Sequence, residues 1–190
     1  MEGLIRVFLF FNFYYMNKLQ KEVQEALNQQ YNLELYSAQV YRAGAAYLDA
    51  QNLVGLAQWL KVQVVEETAH ADKFYAYIYD VGGKVVLQDL AVPPQDFSSP
   101  LQVFELALAH EKKVTAAIQQ LYALALAQKD YSTQVFLQWF IEEQVEEEAN
   151  VEGILAQFKL AGIQREQGVG HGLLILDQKL GARAQHAQGN

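Results

Sequence analysis

Six polar residues, Glu34, Glu67, His70, Glu111, Gln144 and Glu147, occupy positions where helical periodicity demands an apolar seam. Read at alternating three- and four-residue steps, one stripe runs Leu27, Tyr31, Glu34, Ala38, Tyr41, Ala45, Leu48. A second runs Leu56, Leu60, Gln63, Glu67, His70, Phe74, Tyr77. The third is Phe104, Leu108, Glu111, Thr115, Ile118, Tyr122, and the fourth Leu137, Phe140, Gln144, Glu147, Val151, Ile154, Phe158. That spacing puts each set on one face of one helix. Each stripe is apolar except near its middle. A buried ionised carboxylate costs several kcal/mol unless it is compensated. Four helices carrying such groups at one depth need a shared cation.

The same residues locate the turns. In an antiparallel hairpin, residues at one level lie equally far from the connection. The midpoint of Glu34 and Glu67 falls at Ala50–Gln51, within the turn signal Asp49-Ala50-Gln51-Asn52. That of Glu111 and Glu147 falls at Lys129, within Gln128-Lys129-Asp130. The expected helices span about 17–49, 52–80, 99–128 and 131–160. A short fifth, about 172–181, follows the Gly168-Val169-Gly170-His171-Gly172 linker. Residues 81–98, with Gly82, Gly83, Pro93 and Pro94, are long for a loop. Extended, such a segment reaches ~60 Å, enough to climb the bundle and set helices two and three parallel. Ser99-Pro100-Leu101-Gln102 restarts the helix, with Ser99 as N-cap, Pro100 at the first position and Gln102 completing a capping box. The expected fold is all-α, two antiparallel αα-hairpins joined by one long crossover, plus a short fifth C-terminal helix.

Composition narrows the chemistry. The chain of 190 residues is one domain with 52% apolar and 19% charged residues, which argues against disorder. Its net charge of -8, with no basic patch, disfavours nucleic acid and suits cations. The absence of cysteine excludes disulfides, zinc ribbons, iron–sulfur clusters and thiol nucleophiles. Residues 1–15 are nearly all apolar or aromatic from Leu4 to Tyr15, too short for a helical span and with no small-residue cleavage site. They read as an extension upstream of a start at Met16, ahead of a domain over 16–181 and a tail over 182–190. No membrane partner is expected.

Glu67-x-x-His70 and Gln144-x-x-Glu147 each place two side chains on one helical face, and Glu34 and Glu111 add a carboxylate from each remaining helix. One Glu from each of two helices plus Glu-x-x-His from the others is the ligand pattern of di-iron carboxylate bundles, with Gln-x-x-Glu here replacing one member. Carboxylates with one imidazole suit Fe, Mn or Zn. On the fourth helix Glu143 lies at the edge of the apolar face and Glu146 just beyond it, while Glu142 and Glu152 point away. With Glu66, they outline a weaker cation site beside the first. Tyr41 lies two turns along the seam from Glu34, placed to give an electron or a hydrogen bond to the centre; Trp139 is read in the same way. His110, His171 and His186 fit no ligand pattern.

At Asn32-Leu33-Glu34-Leu35-Tyr36-Ser37, Glu66-Glu67-Thr68-Ala69-His70, His110-Glu111 and Leu137-Gln138-Trp139-Phe140 through Glu147, the sequence resembles bacterial non-haem ferritin, over about residues 17–181. The resemblance implies a ferritin-like four-helix bundle assembled as a cytoplasmic cage of twenty-four subunits that oxidises Fe(II) with oxygen or hydrogen peroxide and stores the ferric mineral. It implies that Glu34, Glu67 and His70 hold one iron and Glu67, Glu111 and Glu147 the other, with Gln144 close by. Glu66, Glu143 and Glu146 correspond to a third iron site, and Tyr41 to the family's tyrosine near the di-iron centre. No methionine lies between residues 17 and 190, so haem ligation of the bacterioferritin kind is not expected. Nor is there the cysteine-rich tail of a rubrerythrin, and a Dps-type mini-ferritin lacks the fifth helix. Two other readings stay open: a di-metal carboxylate oxidase acting on an organic substrate, and a non-catalytic iron-binding cage.

Overall fold

The computed structural model describes residues 19–163 and 170–187. Readings that concern residues 1–18, Gly168-Val169 or the last three residues lie outside them. Five helices follow in order: α1 (Lys21–Ala50), α2 (Val54–Asp80), α3 (Pro100–Ala127), α4 (Tyr131–Leu160) and α5 (His171–Ala187). α1 starts at Lys21 rather than near residue 17, because Gln20 is extended. α5 is longer than expected and takes in His171 and Gly172, which the sequence reading assigned to the linker. No described helix is long and apolar enough to cross a membrane.

Both hairpin turns fall where the carboxylate midpoints put them. Each uses one residue in the left-handed region, Asn52 and Lys129, both at φ 58°. Asp130 caps α4, its side chain accepting from the Thr133 amide at 3.0 Å and the Thr133 hydroxyl at 2.6 Å. Ser99 caps α3 by accepting from Gln102 N at 3.2 Å, with Pro100 in the first turn. Gln102 reaches back one residue further than a capping box requires, accepting from Ser98 N at 2.6 Å.

The crossover climbs α1 from its N-terminal to its C-terminal end, from Lys84 beside Gln24 to Phe97, whose ring packs 5.2 Å from that of Tyr47. Three amide side chains spaced by four residues hold the lower half. Gln24 Oε1 accepts from Lys84 N at 3.0 Å. Asn28 donates to Lys84 O at 3.0 Å and accepts from Val86 N at 2.5 Å. Asn32 donates to Val86 O and accepts from Gln88 N, both at 3.0 Å. The register has a metric cause: four helical residues rise ~6 Å and two extended residues ~6.6 Å, so successive helix turns meet alternate loop residues. The upward path returns the chain to the level of the first turn, so α2 and α3 run parallel.

Two apolar cores fill the bundle. The lower one contains Val23, Leu27, Phe74, Ile118, Leu137 and Phe140. The upper one contains Leu48, Leu56, Leu60, Phe104, Ile154 and Phe158 and is closed by Leu173, Leu176 and Leu180 of α5. α5 docks without intervening side chains, since a Cβ on Gly55 would lie 1.8 Å from the carbonyl oxygen of Asp177. Leu53, at the N-cap of α2, offers no side-chain cap, and Asp177 supplies one from α5 by accepting from Leu56 N at 2.9 Å. The third stripe is rotated from its expected centre: Ala107, Val114 and Leu121 are buried, while Leu108, Thr115 and Tyr122 are half-buried.

Asn28→Ala leaves the Val86 amide and the Lys84 carbonyl without their side-chain partner. It should lower unfolding stability by roughly 1–3 kcal/mol in urea titration. Limited proteolysis should then cut between residues 84 and 92. An unchanged midpoint with an unchanged digest would remove the ladder's structural role.

Candidate metal centre

Between the two cores lies a layer with no apolar filling. Glu34 of α1, Gln63, Glu67 and His70 of α2, Glu111 of α3, and Gln144 and Glu147 of α4 are all buried, Glu111 completely and none more than 5% exposed. The helices bring them to one level because the turns are equidistant from each pair. Among the described residues, two groups offer ligand atoms within 4.8 Å of one another: Glu34, Glu67 and His70, and His70, Glu143 and Glu147. His70 belongs to both. Its Nδ1 lies 3.5 Å from Glu67 Oε2 and its Nε2 3.9 Å from Glu143 Oε1.

Hydrogen bonds hold both oxygens of Glu111 and one oxygen each of Glu34 and Glu147. Gln30 Nε2 donates to Glu34 Oε1 at 2.8 Å and Gln63 Nε2 to Glu147 Oε2 at 3.0 Å. Tyr41, 1% exposed, donates its hydroxyl to Glu111 Oε1 at 2.6 Å. Gln144 Nε2 donates to Glu111 Oε2 at 3.3 Å and lies 3.2 Å from the Thr115 hydroxyl. Thus Glu111 is engaged by Tyr41 and Gln144 and joins neither three-residue group. Glu34 Oε2 is buried and has no hydrogen-bond partner. A buried acceptor left unpaired costs about 1–3 kcal/mol, more when charged, and a cation removes that cost. The donor set of carboxylates, imidazole and amides fits iron or another hard-to-intermediate divalent ion.

The electrostatics agree with a layer built for positive charge. Burial, and then the charge of Glu67, pushes Glu34 well above the usual carboxylate range. Glu67 is raised well above it by burial and by Glu111 and Glu147. Glu111 is raised by burial against the lowering effect of the Tyr41 and Gln144 hydrogen bonds. Glu147 is pushed up to about 9, by burial first and then by Glu111, Glu66, Glu143 and Glu146. The Tyr41 phenol is raised well above its usual value by burial and by the neighbouring Glu111 charge. Without cations, Glu147 therefore retains its proton at neutral pH.

The edge residues are looser. Glu143 is half-buried, and Glu66 and Glu146 are exposed on neighbouring turns of α2 and α4. Partial desolvation by its neighbours raises the Glu66 carboxyl against the lowering effect of His70, with Glu143 and Glu146 adding to the shift. Trp139 sets its ring edge-on to His70 at 5.4 Å and carries the Lys73 ammonium 2.9 Å above its own ring centroid.

Gln30, Thr115 and His110 were not among the expected site residues. Gln30 stands four residues before Glu34, a spacing that signals an i,i+4 contact on one helix face. His110 is buried, with Nε2 2.8 Å from the Ser37 hydroxyl and the ring edge-on to Tyr36. Burial and the Lys113 charge lower its pKa to about 4, so it is a neutral link between α1 and α3 at pH 7.

Residues 24–161 match the family described as Ferritin-like domain. The chain is 39% identical over 160 residues to the bacterial non-heme ferritin of Campylobacter jejuni, covering 84% of this chain and 93% of that protein. It is 38% identical over 165 residues to that of Staphylococcus aureus, covering 87% and 96%. Among solved structures it is similar to the open pore ferritin of Archaeoglobus fulgidus, with TM-score 0.81 and 39% identity, covering 86% of this chain and 98% of that one. By sequence, by fold and by the split core that carries the carboxylate layer, this chain belongs to the ferritin family.

Proposed function

We propose that this protein stores iron and is a ferroxidase, oxidising Fe(II) within each bundle and retaining the ferric product in a cage formed by copies of the chain. The observation that carries the reading is the unpartnered Glu34 Oε2 within the Glu34, Glu67 and His70 group, inside a layer of four buried carboxylates. Relatives named bacterial non-heme ferritin support iron as the cargo. The cage of twenty-four subunits and a cytoplasmic location follow from the family resemblance.

Fe(II) is the substrate. Glu34, Glu67 and His70 hold one ion, and Glu147 with Glu67 and Glu111 hold a second. Binding expels the proton that burial keeps on Glu147, and four carboxylates balance two divalent charges. Two Fe(II) ions each give one electron to one dioxygen, which takes up two protons and leaves as hydrogen peroxide. Gln30, Gln63, Gln144 and Tyr41 fix the carboxylates beforehand, so that little reorganisation accompanies the change in iron charge. Glu66, Glu143 and Glu146 form a looser cation site at the edge, through which iron passes between the centre and the storage space. The protein holds no haem.

Replacing Glu67 and His70 together by Ala should slow stopped-flow Fe(II) oxidation at least about 100-fold, since even residues that only orient metal ligands are worth about 10–100-fold in affinity or activity. Size-exclusion chromatography should show the assembly intact. Unchanged oxidation kinetics in that variant would sink the ferroxidase assignment, and a small dimer in the unaltered protein would favour an oxidase acting on an organic substrate.

A second outcome concerns pH. A carboxyl whose folded pKa is raised holds a proton that the unfolded chain has already released. Its contribution is therefore present below the unfolded value and lost as pH rises toward the folded one. For Glu147 that window runs from 4.5 to about 9. The metal-free protein should lose thermal stability between pH 6 and pH 9, by roughly 2–4 °C per kcal/mol. Glu147→Gln should flatten the slope, and so should saturating Zn(II), which binds the deprotonated layer. A metal-free midpoint independent of pH would contradict the buried-proton description.

A further inference from the structure

Beside Tyr41 lies a cavity of about 20 Å³ lined by Gly44, Leu60, Val103, Ala107, Pro94 and Phe97 together with Tyr41 itself. The lining is almost wholly apolar. Leu60, Val103 and Ala107 are at most 3% exposed, while Pro94 and Phe97 come from the crossover on the outer side. Gly44 lets α1 pack closely on its neighbours at this rim, because a Cβ there would lie 2.7 Å from Val103 Cγ1 and 3.1 Å from Leu60 Cδ1. The volume suits one small molecule. Water is a poor occupant, since it needs two to four polar partners. The one side-chain polar group in the lining, the Tyr41 hydroxyl, already donates to Glu111 at 2.6 Å.

We propose that this cavity is a docking pocket for dioxygen, holding the apolar gas one phenol ring from the carboxylate layer beneath the crossover. The proposal rests on the ferroxidase reading. A small, uncharged and weakly hydrogen-bonding molecule loses little on leaving water and fits a dry site that rejects ions. Hydrated Fe(II) meets the opposite conditions at the carboxylate edge of Glu66, Glu143 and Glu146. Tyr41 is the shared residue: it lines the gas site, and its hydroxyl is fixed by Glu111. It thereby joins the site of the oxidant to the carboxylate layer.

Xenon, an apolar probe of similar size, should occupy the cavity of the metal-free assembly in a crystal pressurised with the gas. Ala107→Leu, which fills the pocket from α3, should expel it. Val40→Phe fills it from the half-buried rim with less demand on folding. In either variant kcat/KM for dioxygen should fall roughly tenfold. Anaerobic Fe(II) binding by calorimetry should stay unchanged, as should oxidation by hydrogen peroxide, a polar oxidant with no need of a dry site. The two readings fail separately. A protein that oxidises no Fe(II) overturns the ferroxidase reading, whereas oxidation with a dioxygen dependence indifferent to both substitutions, with xenon expelled, overturns the pocket.

Discussion

Everything in this bundle is arranged around the burial of four carboxyl groups at one level. Glu34, Glu67, Glu111 and Glu147 sit where Leu or Phe would otherwise join the upper and lower cores into one. Their desolvation is the first cause of every raised carboxyl pKa in the layer. A layer of this kind separates the apolar packing into two halves, and each half must then be sufficient to hold its end of the helices. The lower half does so with a run of aromatic contacts, Phe74 against Phe140 at 4.3 Å and Tyr77 stacked on Phe136 at 3.9 Å. The upper half is closed by α5, through the Gly55 contact and the Asp177 cap.

The helix order, the turns and the polar layer were legible because they follow from periodicities. A carboxylate on an apolar stripe violates the pattern at a definite position, and two such violations fix a hairpin. Less was legible where the deciding contact joins residues far apart in sequence. Gln24, Asn28 and Asn32 look like ordinary polar positions on α1, and only the path of residues 84–88 shows them as a ladder. The third stripe was centred on Leu108 and Thr115 because they complete a heptad with Glu111. Tertiary packing instead rotates α3 so that Ala107 and Val114 face inward, the small Ala107 leaving room beside Tyr41. The start of α1 was misplaced for a local reason: Gln20, the residue before the first turn, is extended and supplies no side-chain cap.

The expected ligand set was named from the sequence, but its hydrogen bonding was not. Spacing places Tyr41 near the layer; it cannot say that the hydroxyl chooses Glu111 over Glu34. The structure shows a division of labour among the carboxylates. Glu111 has both oxygens engaged, by Tyr41 and Gln144, while Glu34 has one held by Gln30 and one free. A fully held carboxylate resists movement, and a half-held one has an oxygen ready for an ion. On the proposed reading, asymmetry of this kind makes the two ion positions inequivalent before any ion arrives, with the more open one on the Glu34, Glu67 and His70 side.

On the proposed ferroxidase reading, that asymmetry bears on how two unlike substrates would reach one place. Hydrated Fe(II) would need its desolvation matched by carboxylates, and Glu66, Glu143 and Glu146 stand on neighbouring turns of α2 and α4. Dioxygen is apolar and gains nothing from such a path. α1 and α3 face each other on the opposite side of the layer, and there the lining turns to Gly44, Val103 and Ala107 under the crossover. The amide ladder that pins the crossover along the lower half of α1 therefore constrains more than topology. By fixing the path toward Pro94 and Phe97, it holds these two residues over the apolar cavity that Tyr41 lines. A segment that in sequence is merely a long loop becomes the outer wall of the centre.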